Sequence, residues 1–192
     1  MSINIKKELE KAIKSLYAMP HVKKGTLEEF SKRVENGGPF TKLEHALTHF
    51  CSFFIPYHVE SQSIYVVHHK KANDWIPPGG HLDPDESPLK TVRREYYEEL
   101  GVSLHNERIL LVDASIKDIT HPRGFCNKHY DFWYAVASNK IDFVYDKDEF
   151  YDAGWYPIDF VWQSKTRSPI LQAIFKQLAH VLRDGFTASV VQ

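Results

Sequence analysis

"WIPPGGHLDPDESPLKTVRREYYEELGV", residues 75–102, decides how this chain is read. Ser87 suits a helix N-cap, Pro88 suits the first turn and Gly101 suits the residue past the end. A helix is therefore predicted from Pro88 to Leu100. At 100° per residue Leu89, Val92, Tyr96 and Leu100 form one stripe, predicted to face the core. Glu95, Glu98 and Glu99 fall beside it at i, i+3 and i+4. Each like-charged pair at that spacing costs a helix roughly 0.2–0.5 kcal/mol. Arg94, four residues before Glu98, offsets part of that. A local rule broken without structural gain points to function. Clustered carboxylates bind hard divalent cations, and Mg²⁺ is commonly shared with substrate phosphates. Glutamates on a solvated helix face are the plainer alternative.

The flanks weigh against that alternative. Trp75-Ile76-Pro77-Pro78-Gly79-Gly80 reads as a stiff turn whose glycines let backbone approach a ligand. From Gly80 the spacing is five residues, Glu86, seven residues, Arg94-Glu95, two residues, Glu98-Glu99, one residue and Gly101. A chance match at one window is on the order of 10⁻⁹ to 10⁻⁸ at average residue usage. The pattern resembles the Nudix box of the Nudix hydrolases. One position departs from it: an aliphatic residue is usual where this chain has Tyr96. A tyrosine there still fits the buried stripe if its hydroxyl finds a partner or reaches the surface.

The resemblance implies an α/β fold, an α/β/α sandwich with a mixed sheet. It also implies hydrolysis of a nucleoside diphosphate linked to another moiety, with Mg²⁺ or Mn²⁺ as cofactor. Glu95, Glu98 and Glu99 map onto metal-binding glutamates and the Gly80 carbonyl onto a backbone metal ligand. Glu86 and Arg94 map onto a pair that orders the loop and helix. The catalytic base is then Glu98, Glu99 or a residue on a later acidic loop, where Glu149 is preferred over Asp148. His81 and Trp75 are candidate substrate-binding residues. The run His68-His69-Lys70-Lys71 before Pro78-Gly79-Gly80-His81 resembles one Nudix subgroup without an assigned substrate. Spacings tied to ADP-ribose, dinucleoside polyphosphate or coenzyme A substrates do not appear. A non-catalytic Nudix module that senses a nucleotide is the alternative function.

Working outward, residues 4–18 carry a helical stripe of Ile5, Leu9, Ala12, Ile13 and Leu16. Thr26-Leu27-Glu28-Glu29 is a capping-box pattern opening a second helix. Residues 1–37 are therefore predicted as a helical N-terminal extension and 38–192 as the hydrolase domain. The extension either packs against the domain or serves as a homodimer contact or substrate lid. Strands are predicted in "ALTHFCSFFI", "QSIYVVHH", "RILLVDASI", "HYDFWYAVAS" and "AGWYPI", and a closing helix in "SPILQAIFKQLAHVLRDG". Phe125, Phe132, Trp133 and Tyr134 are aromatic candidates for base stacking.

The 192 residues carry a net charge of −1, which gives no footprint for general nucleic-acid or membrane binding. No apolar run of membrane-spanning length and no signal-peptide pattern is seen, so a cytoplasmic protein is expected; the partner that the resemblance implies is a small nucleotide-like diphosphate. Cys51 and Cys126 suggest no disulfide framework and are expected to be buried thiols. Eleven histidines occur, His121 and His129 among them, without HxH or HExxH spacing, so no zinc site is predicted.

Overall fold

The computed structural model describes residues 4–119, 126–139 and 142–187, with side chains to residue 183. His121, Pro122 and Phe125 lie outside the described residues. Helix α1 (Ile5–Tyr17) and α2 (Lys24–Glu35) precede strands β1 (Thr48–His58), β2 (Ser63–His69), β3 (Asp74–Ile76) and β4 (Gly79–His81). Helix α3 (Pro88–Leu100), β5 (Ile109–Asp118), β6 (Lys128–Ala137) and β7 (Phe150–Pro157) follow. A short α4 (Ile158–Phe160), a π-helical turn (Val161–Lys165) and α5 (Pro169–Thr187) complete the order.

One sheet has the strand order β3-β2-β1-β6-β5, with β4 paired to β1 and β7 to β2. Strand β2 pairs antiparallel with β7 in the register Tyr65↔Trp155 and with β3 in the register His68↔Trp75. Because β2 is covered on both faces, Ile64, Tyr65, Val66 and Val67 are all buried. It therefore reads as a continuous apolar run rather than an alternation.

The chain forms two compact units. The first holds residues 1–53, 79–94 and 111–134; the second holds 54–78, 95–110 and 135–192. In the first unit Phe30 of α2 is fully buried, with ring centroids 5.2 Å from both Tyr130 and Phe132 and 5.6 Å from Phe50. Burying one such ring contributes about 2–3 kcal/mol. The N-terminal helices thus share this unit's core. In the second unit Phe143 packs at 4.8 Å from Tyr65 and 5.9 Å from Trp155.

Several expectations need correction. Helix α2 starts at Lys24 with Lys23 as an extended N-cap, so Thr26 lies in its first turn and caps nothing. The turn containing Trp75 and Gly80 is instead two three-residue strands, β3 and β4. Strands that short carry no period that a sequence reading could detect. Phe132, Trp133 and Tyr134 are buried at 0%, 2% and 6% exposure, so none offers a stacking face. Cys51 and Cys126 are buried thiols, as expected. Among the described residues no helix is long and apolar enough to cross a membrane.

Candidate active site

Helix α3 has the predicted bounds. Ser87 Oγ accepts from the Lys90 N–H at 3.2 Å, and Gly101 closes the helix at φ +70°, its N–H donating to the Tyr97 carbonyl at 2.9 Å. Val92, Tyr96 and Leu100 are buried as predicted, but Leu89 is 38% exposed. Thr91 turns inward in its place, donating its hydroxyl to Glu86 Oε2 at 2.9 Å. Tyr96 fits because its ring packs on Phe54 and Phe143 while Ser138 stands beside its hydroxyl. Burial pushes that phenol up to about 12.

The three glutamates of α3 differ in environment. Glu98 is exposed, Glu95 is half-buried and Glu99 is 4% exposed. Glu95 neighbours both Glu98 and Glu99, at i+3 and i+4, a spacing that sets Cβ atoms about 5–6 Å apart. Oxygen-only, anionic side chains of this kind would suit a hard cation such as Mg²⁺ or Mn²⁺ if their carboxylates turned toward a common point. A carboxylate at the burial of Glu99 is costly unless a cation or donors compensate it.

The loop before α3 is latched to it. Arg94 Nε donates to Glu86 Oε1 at 3.0 Å and Arg94 Nη2 to Glu86 Oε2 at 3.1 Å. The same Nη2 also donates to the His81 carbonyl at 3.0 Å. Burial works to raise the Glu86 carboxyl, but the hydrogen bonds from Arg94 and Thr91 outweigh it and hold its pKa below the ordinary value of 4.5. A depressed carboxylate contributes stability above its unfolded pKa and loses it as pH falls through the folded one. Glu86→Gln should therefore cost about 2 kcal/mol at neutral pH. The wild-type advantage in Tm should shrink as pH drops below 4.5. An advantage unchanged down to strongly acidic pH would contradict the latch.

A second element docks on the end of α3. The Asp146 N–H donates to the Glu99 carbonyl at 2.9 Å, and the Phe150 N–H to the Asp146 carbonyl at 3.0 Å. Glu149 lies on this loop, 40% exposed, its carboxylate 3.8 Å from His69 Nε2 and 3.9 Å from Lys71 Nζ. Burial lowers the His69 pKa, with Glu149 pulling the other way.

Trp75 lies on β3, where its ring stacks on His68 at 5.3 Å and 11°. Lys165 Nζ lies 4.0 Å from the centroids of both Trp75 and Tyr156. The ring is thus part of a cationic, aromatic surface rather than a bare platform.

Gly80 and His81 lie on β4, opposite Ser52 and Cys51 of β1. The His81 ring does not stand alone. It packs 4.6 Å from His49 and 5.3 Å from His129, and its Nε2 lies 3.8 Å from Cys126 Sγ. Burial pushes the His129 imidazole down to about 3 and lowers that of His49, so both are neutral. The sequence reading passed over this group because its members come from three places in the chain. The one local signal was Cys126-x-x-His129.

The NUDIX domain family matches residues 52–178, leaving α1 and α2 outside the match. A Bis(5'-nucleosyl)-tetraphosphatase [asymmetrical] of Sus scrofa is 27% identical over 119 residues, 62% of this chain and 71% of its own. An m7GpppN-mRNA hydrolase of Bos taurus is 38% identical over 50 residues, 26% of this chain; the match spans only 17% of that protein's length. The solved E. coli dihydroneopterin triphosphate pyrophosphohydrolase superposes with a TM-score of 0.60 at 13% identity, covering 69% of this chain and 95% of its own. That likeness is one of fold, and the fold is the one expected from the sequence.

Proposed function

Because the chain belongs to the NUDIX domain family, we propose that it is a hydrolase that cleaves a diphosphate linkage in a nucleotide-like substrate by attack of water at phosphorus. The observation that carries this reading is the run of Glu95, Glu98 and Glu99 on one capped helix, half-buried, exposed and buried in turn. Those carboxylates would hold Mg²⁺ or Mn²⁺, with the Gly80 carbonyl as the backbone ligand that the family pattern adds. Such an ion, when bound, neutralises phosphate oxygens and templates in-line attack.

The chain's own groups supply the rest. Glu98 is exposed and so open to water, which suits a carboxylate that accepts a proton. Glu99 is buried and positions rather than exchanges. Glu86 and Arg94 hold the loop in place before substrate arrives. Glu149 is a second candidate base, on a loop tied to the Glu99 backbone. General base catalysis contributes about 10²–10⁴-fold. Glu149→Gln should thus lower kcat by roughly 10²-fold with KM little changed. A kcat within twofold of wild type would leave the base role to Glu98.

Relatives acting on nucleotides with three or four phosphates set the order of the test. Turnover would be assayed with Mg²⁺ or Mn²⁺ on dinucleoside tetraphosphates, cap dinucleotides, dihydroneopterin triphosphate, ADP-ribose, NADH and nucleotide sugars. Hydrolysis in ¹⁸O-water should place label on a phosphate product. Tight metal-independent binding of a nucleotide, with no turnover of any compound, would overturn the reading in favour of a sensing module.

A further inference from the structure

We propose that His49, His81, His129 and Cys126 form a second, soft-metal site for a Zn²⁺-class ion, separate in ligand chemistry from the all-oxygen glutamates. The ligand atoms of these four residues all lie within 4.8 Å of one another. Cys126 Sγ is 3.6 Å from His49 Nε2 and 3.8 Å from His81 Nε2. A tetrahedral zinc with Zn–S of about 2.3 Å and Zn–N of about 2.05 Å has N···S edges of about 3.6 Å. Two edges are already near that length, and the others need small side-chain movements to close.

The pleat explains the placement. Cys51 of β1 is paired with His81 of β4, and His49, two residues along β1, shares that face. Cys126 and His129 enter from the start of β6, all within the first unit.

Proton bookkeeping supports the assignment. His49 Nδ1 lies 3.1 Å from the His45 carbonyl, which only accepts, so Nδ1 carries the hydrogen. The lone pair of His49 is then on Nε2, aimed at the cluster. His129 Nδ1 lies 4.0 Å from Asp131 Oδ1, while its Nε2 is buried with no hydrogen-bond partner among the described residues. The backbone carbonyl behind His49 is an outer partner of the kind metal-bound histidines use, whereas Asp131 Oδ1, itself without a hydrogen-bond partner among the described residues, is beyond hydrogen-bond reach of His129. One thiol proton can be donated to only one acceptor at a time, whereas two imidazole nitrogens lie within 3.8 Å of Cys126 Sγ. A single cation accepts electron pairs from all four atoms, the thiol proton passing to solvent. With four protein ligands and no open position, the site is structural rather than catalytic. It clamps β4 to β1 and to the start of β6, beside Gly79 and Gly80.

The test uses the full chain without a polyhistidine tag. Metal content after expression should be one zinc per chain. Exchange with Co²⁺ should give the intense d–d absorption of a tetrahedral ion and a near-ultraviolet thiolate charge-transfer band. Cys126→Ser should abolish the charge-transfer band, whereas Cys51→Ser should leave it. Zinc should raise Tm by roughly 10 °C at saturation. A wild-type Co²⁺ spectrum of weak, six-coordinate bands without charge transfer would overturn the site, whatever the variants do. So would a band lost in Cys51→Ser and kept in Cys126→Ser, which would favour the smaller group of Cys51, His129 and Asp131. None of these readouts depends on hydrolase activity, so a failed substrate screen and a failed metal site are distinguishable.

Discussion

Glu98→Gln and Glu99→Gln should each lower kcat/KM by about 10³-fold, the loss of roughly 4 kcal/mol of transition-state stabilisation. The two variants should differ in how they affect the fold. Glu98 is exposed and sits three residues from Glu95, so removing its charge relieves a like-charge pair worth roughly 0.2–0.5 kcal/mol. Its Tm should hold or rise slightly while activity collapses. Glu99 is buried, and the neutral amide there changes a desolvated group, so Tm should move in the metal-free protein and respond less to added Mn²⁺. Steady-state kinetics beside thermal melts with and without Mn²⁺ checks both. A Glu98→Gln variant with wild-type activity would remove that residue from the metal and base roles. Equal loss of Tm and activity would assign the glutamates a structural role instead.

Gly79→Ala should be the most destabilising single methyl in the structure, costing more than about 3 kcal/mol. Gly79 sits at φ +139°, a region closed to residues with a Cβ. A Cβ there would collide with the Ser52 carbonyl and stand 2.6 Å from Phe53 Cα. These are backbone atoms of the paired strand β1 and cannot rotate away. Relief requires β4 to leave β1, which undoes the pairing of Phe53 with Gly79 and Ser52 with Gly80. Tm should fall by roughly 10 °C, as a 150–250-residue domain loses about 2–4 °C per kcal/mol. Gly37→Ala is the contrast: φ is +81° but a Cβ meets nothing within 4 Å, so the cost should be near 1 kcal/mol. Similar melting temperatures for the two variants would contradict the close approach of β4 to β1.

Much of the fold was legible because local chemistry and tertiary structure agree there. Helix α3 has its predicted ends since Ser87, Pro88 and Gly101 each act within a few residues of themselves. The apolar strands also appeared where β-branched and aromatic residues cluster. Errors came where local and distant forces compete. Leu89 matched the stripe by angle, yet Thr91 took the inward position because its hydroxyl meets Glu86. Strands β3 and β4 were invisible because three residues gain strand geometry only from their partners. The reading of Thr26 as a cap failed because Lys23 was already extended and the helix could begin earlier.

The sequence by itself determined the capped helix, the carboxylate spacing and the glycines before it. Those are short-range facts, set by backbone conformation and by residues within a turn or two of each other. Only the tertiary structure decided which glutamate is buried, what stands beside the Tyr96 hydroxyl, where Trp75 is engaged, and that His49, His81, Cys126 and His129 converge. These depend on strand register and on packing between segments up to 90 residues apart in sequence (Trp75 to Lys165). Burial and convergence of that kind arise when distant apolar runs pair, a choice made by the whole sheet at once.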